Sequence, residues 1–412
     1  MIPYIIVFVF FLLGLIFGLK KCFAFYVAYY FIDYGLYIYS PITVKNLLLL
    51  FFLFYGVAHY KKRLKNKYIL KWATWLMVIS ALISNLLNGC NHPTAFIYTL
   101  FDYFALPYVV FLYVHDKEDL IYLCKCFLLS ALFVCLYGLY EIGTETTPLV
   151  DYIKQINNQE LIENDSRFGA HLTRSTFLFH TSLGYFAIMT IVFLMLYINQ
   201  IKNMLHIKNL YFNIFVLMLA SMVFLSGSRS SIAPLLIFVV LYPFRYIVDF
   251  SRFIKNGSVV VITYVFVMYF IGEYFEYVIN SILYSDKYNV GSSQEMRTGQ
   301  LMTVLYYFAQ APLWGHGFSF TGSLIGNVKS LMGAESIWFG LLLDQGLIGV
   351  ICFIVFIMAC FKTIKFQIVN AIFFVGVFVF VNTITSVPDL FYGFYMMFIV
   401  LIYKMKHFNL IV

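Results

Sequence analysis

The chain has 412 residues, of which 62% are hydrophobic, 21% are aromatic and only 11% are charged. Soluble globular domains are about half apolar and about a quarter charged, so this composition excludes a soluble protein and predicts a polytopic membrane protein. The net charge of +8 does not indicate nucleic-acid binding, because the basic residues are spread over short loops and do not gather on one face. Orientation in the bilayer explains them better.

A bilayer-spanning helix needs about 20 mainly apolar residues, and on that template the chain predicts 12 or 13 spans. The first run lacks a basic leading region and a small-residue cleavage site, so we expect a retained helix, not a signal peptide. We see no repeat and no soluble domain, which predicts an all-α bundle forming one integral membrane domain over residues 1–412. The predicted spans cover about residues 2–19, 22–39, 43–60, 69–87, 95–114, 119–140, 175–199, 210–226, 230–248, 257–275, 336–359, 367–385 and 390–403.

Loop charges predict how this bundle sits in the membrane. Most of the basic residues fall in alternating loops that contain few acids, and such loops face the cytoplasm. Two long polar inserts, about residues 141–174 and 273–335, then lie outside the cytoplasm together with the turn "SGSRSS". Arg174, Arg229 and Arg297 gather on that outer face against the charge bias, so they need another reason to be there.

Arg229 gives the sharpest functional signal in the sequence. The stretch "LSGSRSSIAPLLIF" places its guanidinium at membrane depth or just outside it, between Ser228 and Ser230, small hydroxyl residues that let an oxyanion come close. An arginine within the membrane costs about 2.5–3.5 kcal/mol on insertion scales, so such a charge is a functional candidate. Its planar fork suits phosphate. The alternative interpretation is a solvated arginine in a tight external turn that caps two helices.

Four other basic or polar side chains are weaker candidates. Arg174 lies in "LTRSTFLFHTSLG" at the expected start of a span, where helix N-terminal amides favour an anion, although it is equally well read as an interfacial anchor. Arg297 opens an amphipathic segment, and taken alone it is a surface charge paired with Glu295. His180 and His316 are candidates to line a sugar pocket, or they are polar interfacial side chains.

Two acids stand near or inside the span that follows the second insert. Glu335 lies directly before it, and a carboxylate at the edge of the low-dielectric region is a candidate general base. The alternative is an acid favoured by the helix dipole. Asp344 lies about two turns deeper and is expected to pair with a cation or join a hydrogen-bond network. The histidines lack the spacing of a zinc motif, so the sequence predicts neither a metal nor a cofactor.

Four stretches, taken in order, resemble the O-antigen polymerase (Wzy-like) and O-antigen ligase superfamily of bacterial membrane proteins. They are "TRSTFLFHTSLGYF", "LSGSRSSIAPLLIF", "MRTGQLMTVLYYFAQAPLWGHGFSF" and "AESIWFGLLLDQGLIGVICFIVF", and the resemblance covers roughly residues 140–360. It implies a GT-C-like fold and a metal-independent glycosyl transfer on the outer face of the bacterial cytoplasmic (inner) membrane. The substrates it implies are undecaprenyl-pyrophosphate-linked glycans for O-antigen, lipopolysaccharide, capsule or exopolysaccharide.

By position, Arg174, Arg229 and Arg297 match the external arginines of that superfamily, which implies that they hold the pyrophosphate or the glycan. The ligases carry a His-Asn pair where this chain has Glu335 and Ser336, and this difference favours a polymerase. The implied partners are membrane lipids, a flippase and a Wzz-like chain-length regulator. We expect Glu335, Arg229 and Arg297 to be catalytic, with Arg174, His180, His316, Ser228 and Ser230 binding substrate.

Three other functions stay open at this point. A ligase would share the fold and the donor but transfer the glycan to the lipid A core. A transporter or flippase usually has internal repeats and broken helices near the midplane, whereas this chain concentrates its polar residues in external inserts. A scaffold or sensor is disfavoured by the arginines.

Overall fold

The computed structural model describes residues 2–32, 35–39, 42–60, 68–89, 93–157, 166–167, 170–177, 179–246, 254, 257–258, 294–328, 331, 336–384 and 390–411. Within them the chain is mostly helical, with two short antiparallel hairpins, β1 (Tyr37–Tyr39) with β2 (Ile42–Thr43) and β3 (Ser166–Arg167) with β4 (Ala170–His171). The helices are α1 (Ile2–Phe17), α2 (Leu19–Tyr30), α3 (Val44–His59), α4 (Lys71–Asn88), α5 (Pro93–Tyr113), α6 (Lys117–Thr144), α7 (Pro148–Ile156), α8 (His180–Leu196), α9 (Ile198–Leu205), α10 (Asn209–Leu225), α11 (Arg229–Leu241), α12 (Gln294–Gln310), α13 (Phe320–Asn327), α14 (Ile337–Ile364), α15 (Ile368–Ile384) and α16 (Leu390–His407).

Two helices, α8 and α16, form the centre of the bundle. Nearly all of their described residues are buried, as expected of helices that are apolar on every side. Phe186 stacks on Phe394 with ring centroids 5.2 Å apart, and Phe193 stacks on Phe398 at 4.5 Å. Helices α6, α10, α11 and α15 pack around this pair. The core therefore depends on interlocking aromatic rings.

The helices are those of a membrane protein. Among the described residues, two helical runs are long and apolar enough to cross a bilayer alone, α6 and Ile337–Ile384, which contains α14 and α15. The bent pair α8 and α9 adds a third if it counts as one span. Shorter apolar helices lie at Ile2–Phe17, Val44–His59, Tyr103–Tyr113 and Asn209–Leu225. The all-α membrane class is confirmed, whereas the count of 12 or 13 spans stays a prediction. Nearly all of the predicted span 257–275 lies outside the described residues, as does the first part of the 273–335 insert.

Several predicted boundaries were wrong. The span expected at residues 22–39 ends early, because α2 has 12 residues and a hairpin begins at Tyr37. Helix α6 continues to Thr144, three residues beyond the expected start of the first long insert, and the insert itself stays a prediction. Helix α8 begins at His180, so Arg174 is not at a helix start. Ser175 has a φ of 54°, a left-handed conformation that does not continue a right-handed helix.

The bundle has two distinct ends. At one end the Lys20 Nζ lies 2.7 Å from the Asp119 carboxylate near the start of α6, and Arg245 donates to the Leu196 carbonyl at the end of α8. At the other end lie the starts of α8, α11 and α14, together with the ends of α6 and α15. Lys20, Asp119 and Arg245, which come from loops predicted to be cytoplasmic, thus lie at the opposite end from the segments of Arg174 and Arg229. Which end faces the cytoplasm stays a prediction.

Candidate functional site

A buried carboxylate holds the segment that contains Arg174. Glu141 in the last turns of α6 is fully buried, and its Oε2 accepts hydrogen bonds from the backbone N–H groups of Ser175 at 2.6 Å and Arg174 at 3.0 Å. The other oxygen, Oε1, lies 2.9 Å from His171 Nε2. A buried carboxylate is tolerated only when its oxygens are paired, and here two amides and an imidazole pair them.

The rest of this segment, His171–Phe177 and hereafter the Arg174 segment, is also fixed by hydrogen bonds to helices. The Ser175 hydroxyl donates to the Val134 carbonyl at 2.6 Å, and the Thr176 hydroxyl donates to the Phe31 carbonyl at 2.9 Å. Arg174 itself is only 2% exposed. The segment is irregular in backbone but has a single defined position against α6.

The Arg174 segment packs on the turn Ser226–Ser230, hereafter the serine turn. Its Thr173 N–H donates to the Leu225 carbonyl at 3.0 Å, just before that turn. Gly227 has a φ of +59°, and a Cβ there would lie 2.3 Å from the Leu172 side chain. Two segments about fifty residues apart in sequence are therefore in direct contact, and the left-handed φ and the nearby Leu172 side chain both favour a glycine there.

Helix α8 closes the same region from a third side. A Cβ on Gly184, one turn after His180, would lie 2.6 Å from the Ser231 hydroxyl and 2.7 Å from the Ser226 hydroxyl. This glycine lets the starts of α8 and α11 approach closely. The fold thus brings Arg174, His180 and the serine turn together, and we call this group the arginine cluster.

Arg229 is the first residue of α11, with Ser228 as its N-cap. The Ser228 and Ser230 hydroxyls lie 2.8 Å apart. A cation in the first turn of a helix is unfavourable by about 0.3–1 kcal/mol, because the helix dipole is positive there. Arg229 and the helix amides therefore add to one positive potential, which is the electrostatic arrangement that binds anions.

A second polar region lies where α14 is broken. Gly346 has a φ of 64° and a ψ of −159° inside an otherwise helical run, which interrupts the helical hydrogen bonds on both sides. On the far side, the freed N–H groups of Leu347 and Ile348 donate to the carbonyls of Pro312 and Leu313 at 2.9 and 3.2 Å. We call residues 343–348 the helix break and Pro312–Ser319 the Pro312 loop.

The near side of the helix break is paired with the same loop. The Leu343 carbonyl accepts from the His316 N–H at 2.8 Å, and the Asp344 carbonyl accepts from the Gly317 N–H at 3.1 Å. Each backbone group left unpaired in hydrocarbon costs several kcal/mol, so broken helices persist in membranes only when a partner segment replaces the lost bonds. The Pro312 loop is that partner.

Glycines allow the two backbones to come this close. A Cβ on Gly346 would lie 2.6 Å from Gly315 N and from the Leu313 carbonyl oxygen, and a Cβ on Gly315 would lie 2.6 Å from the Asp344 carbonyl carbon. Real Cβ atoms do not approach a backbone that closely, and a backbone cannot turn aside as a flexible side chain can. The pair Gly315 and Gly346 is therefore required by the packing.

Asp344 continues the network expected from the sequence. Its carboxylate accepts from the Ser319 N–H at 3.0 Å, and from both the N–H and the hydroxyl of Thr321 at 2.7 Å each. Its backbone carbonyl accepts from the Ser84 hydroxyl of α4 at 2.6 Å. These bonds tie the helix break to the start of α13, so the predicted hydrogen-bond network is confirmed.

His316 belongs to this second region, and Arg297 lies in the helix α12 that leads to it. The His316 Nε2 lies 2.8 Å from the Tyr307 carbonyl oxygen, and its ring stacks on Phe320 at 4.4 Å. These contacts account for His316 without a sugar, so its role in substrate binding stays a prediction. Arg297 is an exposed residue of α12, and that helix packs on α14.

Helix α15 connects the two regions at one end of the bundle, since it packs on both α11 and α14. At its last turn the Thr383 hydroxyl accepts from Trp338 Nε1 at 2.9 Å, which fixes the first turn of α14 there. Glu335 lies outside the described residues. The next residue, Ser336, is the buried N-cap of α14, at the same end of the bundle as Arg229.

Two anchors of this site were missed from the sequence. Glu141 was taken only as the boundary of an insert, although a lone acid at the end of an apolar run is a possible signal of a buried carboxylate. The helix break was also missed, although "DQG" within an apolar run is the kind of signal that marks one. Among the residues that the structure describes, no three His, Cys, Asp or Glu side chains are placed to hold a metal ion together.

Comparison with models of known protein families finds a match in the second half of the chain. Residues 213–354, about a third of the chain, match the model of the family described as O-antigen ligase. The matched region contains the serine turn and the helix break, whereas the Arg174 segment and His180 precede it. No curated protein matches the chain.

Proposed function

Because residues 213–354 carry the O-antigen ligase domain, this chain is a member of the O-antigen polymerase and ligase superfamily, and we propose that it is a polymerase. It joins undecaprenyl-pyrophosphate-linked oligosaccharide repeats on the outer face of the cytoplasmic membrane, without a metal. The growing lipid-linked chain is the donor and a single lipid-linked repeat is the acceptor. A flippase and a Wzz-like regulator supply substrate and set chain length.

The observation that carries this proposal is the packing of the Arg174 segment on the serine turn. It puts two arginine-bearing segments side by side at the start of a helix, where an anionic diphosphate is favoured. In the reaction an acceptor hydroxyl attacks the anomeric carbon, and the bond from that carbon to the diphosphate oxygen breaks. Arg174, Arg229 and Arg297 stabilise the charge that develops on the departing diphosphate.

The acceptor proton goes to Glu335 in this scheme. Support for this role comes from its position directly before Ser336, which caps α14 at the same end of the bundle as Arg229. Ser228, Ser230, His180 and His316 contact the diphosphate or the sugars. A correctly placed base contributes about 10²–10⁴ in rate.

The test is reconstituted polymerisation with a purified lipid-linked repeat. We expect Arg229→Ala and Arg297→Ala to abolish polymer while the protein stays in the membrane, and Arg229→Lys to recover little, since an ammonium lacks the planar fork. Lys362→Ala, which removes an exposed cation near the end of α14, is the control and should polymerise normally. Glu335→Gln should lose turnover but still bind the donor, and EDTA should not inhibit. Full-length polymer from Arg229→Ala would refute the proposal.

A ligase is the second candidate, because the matching family is described as O-antigen ligase. A ligase would transfer the finished glycan to the lipid A core. The two functions separate in a deletion strain. Loss of the polymerase leaves single repeats attached to the core, whereas loss of the ligase leaves long chains that are not attached.

The helix break does not favour a transporter. In transporters with discontinuous helices, the unwound backbone carbonyls coordinate the transported ion. Here the Leu343 and Asp344 carbonyls instead accept from the Pro312 loop. The break therefore positions a loop and offers no open coordination site at these carbonyls.

A further inference from the structure

An apolar groove lies between α6 and α10, at the opposite end of the bundle from the arginine cluster. It has a volume of about 470 Å³, and its walls include Leu128 and Leu132 of α6, Phe215 and Met218 of α10, and Leu205 of α9. This volume falls within the range of about 300–1,000 Å³ typical of ligand pockets. Its single charged lining residue, among those described, is Lys125.

Helix α9 indicates where the membrane surface lies beside this groove. It is bent by 85° from α8, so it runs across the bundle instead of along it. Its apolar residues Ile201, Met204 and Leu205 are buried, while Asn203 on the opposite face is exposed. A short amphipathic helix in this orientation lies at the boundary between headgroups and acyl chains. The groove begins at that boundary and extends into the hydrocarbon region.

Three lysines, Lys125, Lys202 and Lys208, lie beside or near the groove. Lys125 is exposed on α6, about 12 Å along the axis from the start of that helix at 1.5 Å per residue. Lys208 is exposed just before α10, and Lys202 of α9 donates to the Asn209 side chain. Within the described parts of the chain, neither Lys125 nor Lys208 has a carboxylate partner.

We propose that this groove binds one anionic phospholipid, with its phosphate near Lys125 and Lys208 and an acyl chain along α6 and α10. Charge complementarity selects the headgroup, because a lysine that reaches toward the interface beside an apolar groove is neutralised by a lipid phosphate. An isoprenoid diphosphate donor is the less suitable occupant. Its diphosphate belongs at the arginine cluster, which lies at the other end of the bundle.

The test uses the detergent-purified full chain and native mass spectrometry with phosphatidylglycerol, phosphatidylethanolamine and undecaprenyl phosphate as separate probes. We expect wild type to retain phosphatidylglycerol in preference to phosphatidylethanolamine. Lys125→Leu should lower phosphatidylglycerol affinity about fivefold, the effect of one lysine at an anionic surface. Met218→Trp, which fills the groove, should weaken both phospholipids. Lys362→Leu is the matched control, because it removes an exposed lysine near the same end of the bundle and should change nothing.

Three outcomes overturn the proposal. Equal retention of the two phospholipids by wild type would remove charge selection. Equal loss of phosphatidylglycerol in Lys125→Leu and Lys362→Leu would show a general surface effect with no site. Undecaprenyl phosphate that binds more tightly than phosphatidylglycerol, and is lost with Lys125, would assign the groove to the isoprenoid substrate.

Discussion

The Arg174 segment and the Pro312 loop are both irregular, and both are held by a buried or partly buried carboxylate that accepts two backbone N–H groups. Glu141 accepts from Arg174 and Ser175, and Asp344 accepts from Ser319 and Thr321. The two regions differ in the kind of contact that supplies most of their other anchors. The Arg174 segment depends mainly on side chains that bond to backbone groups, whereas the Pro312 loop depends mainly on backbone bonds that close glycine contacts make possible.

This difference shows two ways in which an irregular segment is held in place at the end of a membrane helix bundle. Side-chain anchors are specific, so replacing one residue removes the anchor and leaves the rest of the bundle intact. Backbone anchors cannot be removed by replacing a side chain, but they fail when a side chain is added. We therefore expect substitutions that add a side chain to destabilise the helix break. We expect substitutions that remove an anchoring side chain to destabilise the Arg174 segment.

The largest expected effect is that of Gly346→Ala. The new Cβ would lie 2.6 Å from backbone atoms of Leu313 and Gly315, and a left-handed φ disfavours alanine. Overpacking and backbone strain together predict a loss of about 2–5 kcal/mol. Thermal unfolding in detergent measures it. Gly340→Ala in the same helix is the control, since a Cβ there meets nothing within 4 Å. Equal melting temperatures for the two variants would contradict the close packing at the helix break.

Glu141→Ala should come next. It leaves the buried N–H groups of Arg174 and Ser175 without their acceptor, and leaving buried donors unpaired costs about 1–3 kcal/mol. We expect polymer synthesis to stop because Arg174 is no longer held, while much of the protein remains folded in the membrane. Glu145→Gln changes an exposed acid one turn later and should be silent. Normal polymer from Glu141→Ala would show that the segment keeps its position without this anchor.

Gly227→Ala tests whether the Arg174 segment and the serine turn act as one unit. A Cβ would meet the Leu172 side chain, and the left-handed φ adds strain of about 1–2 kcal/mol. The smaller Leu172→Ala side chain should relieve the steric part of this cost. We therefore expect the double variant to be more stable than the sum of the two single losses, as measured by a double-mutant cycle. If the losses of unfolding free energy in the two single variants simply add in the double variant, the two segments are not in steric contact at this point.

The smallest effect expected is that of Asp344→Asn. One oxygen remains to accept from Ser319 or Thr321, and the backbone bonds of the Pro312 loop are unaffected, so we predict a loss of about 1 kcal/mol. The same change at Glu141, Glu141→Gln, should cost more, because that carboxylate is fully buried and also lies against His171. Matched unfolding curves of the two variants compare the regions directly. A larger loss at Asp344 would reverse the comparison.

Composition and the pattern of apolar residues were enough to predict the class of the protein and the position of most helices. Apolar runs long enough to span a bilayer predict membrane helices directly, because the backbone has few alternatives to a helix in hydrocarbon. The arginines stood out for the same reason, since a charge in an apolar chain is costly and therefore informative. The serine turn and the acid at position 344 were visible as polar breaks in these runs.

How those elements meet depends on contacts between residues that are distant in sequence. Glu141 looked like the edge of an insert because nothing local shows that amides more than thirty residues later would bond to it. Helix α8 begins six residues after Arg174 for the same reason, since a distant carboxylate holds that segment out of the helix. Gly346 looked like one more glycine in an apolar helix. A break there is possible only because the Pro312 loop forms hydrogen bonds with the backbone N–H and carbonyl groups that the helix leaves unpaired.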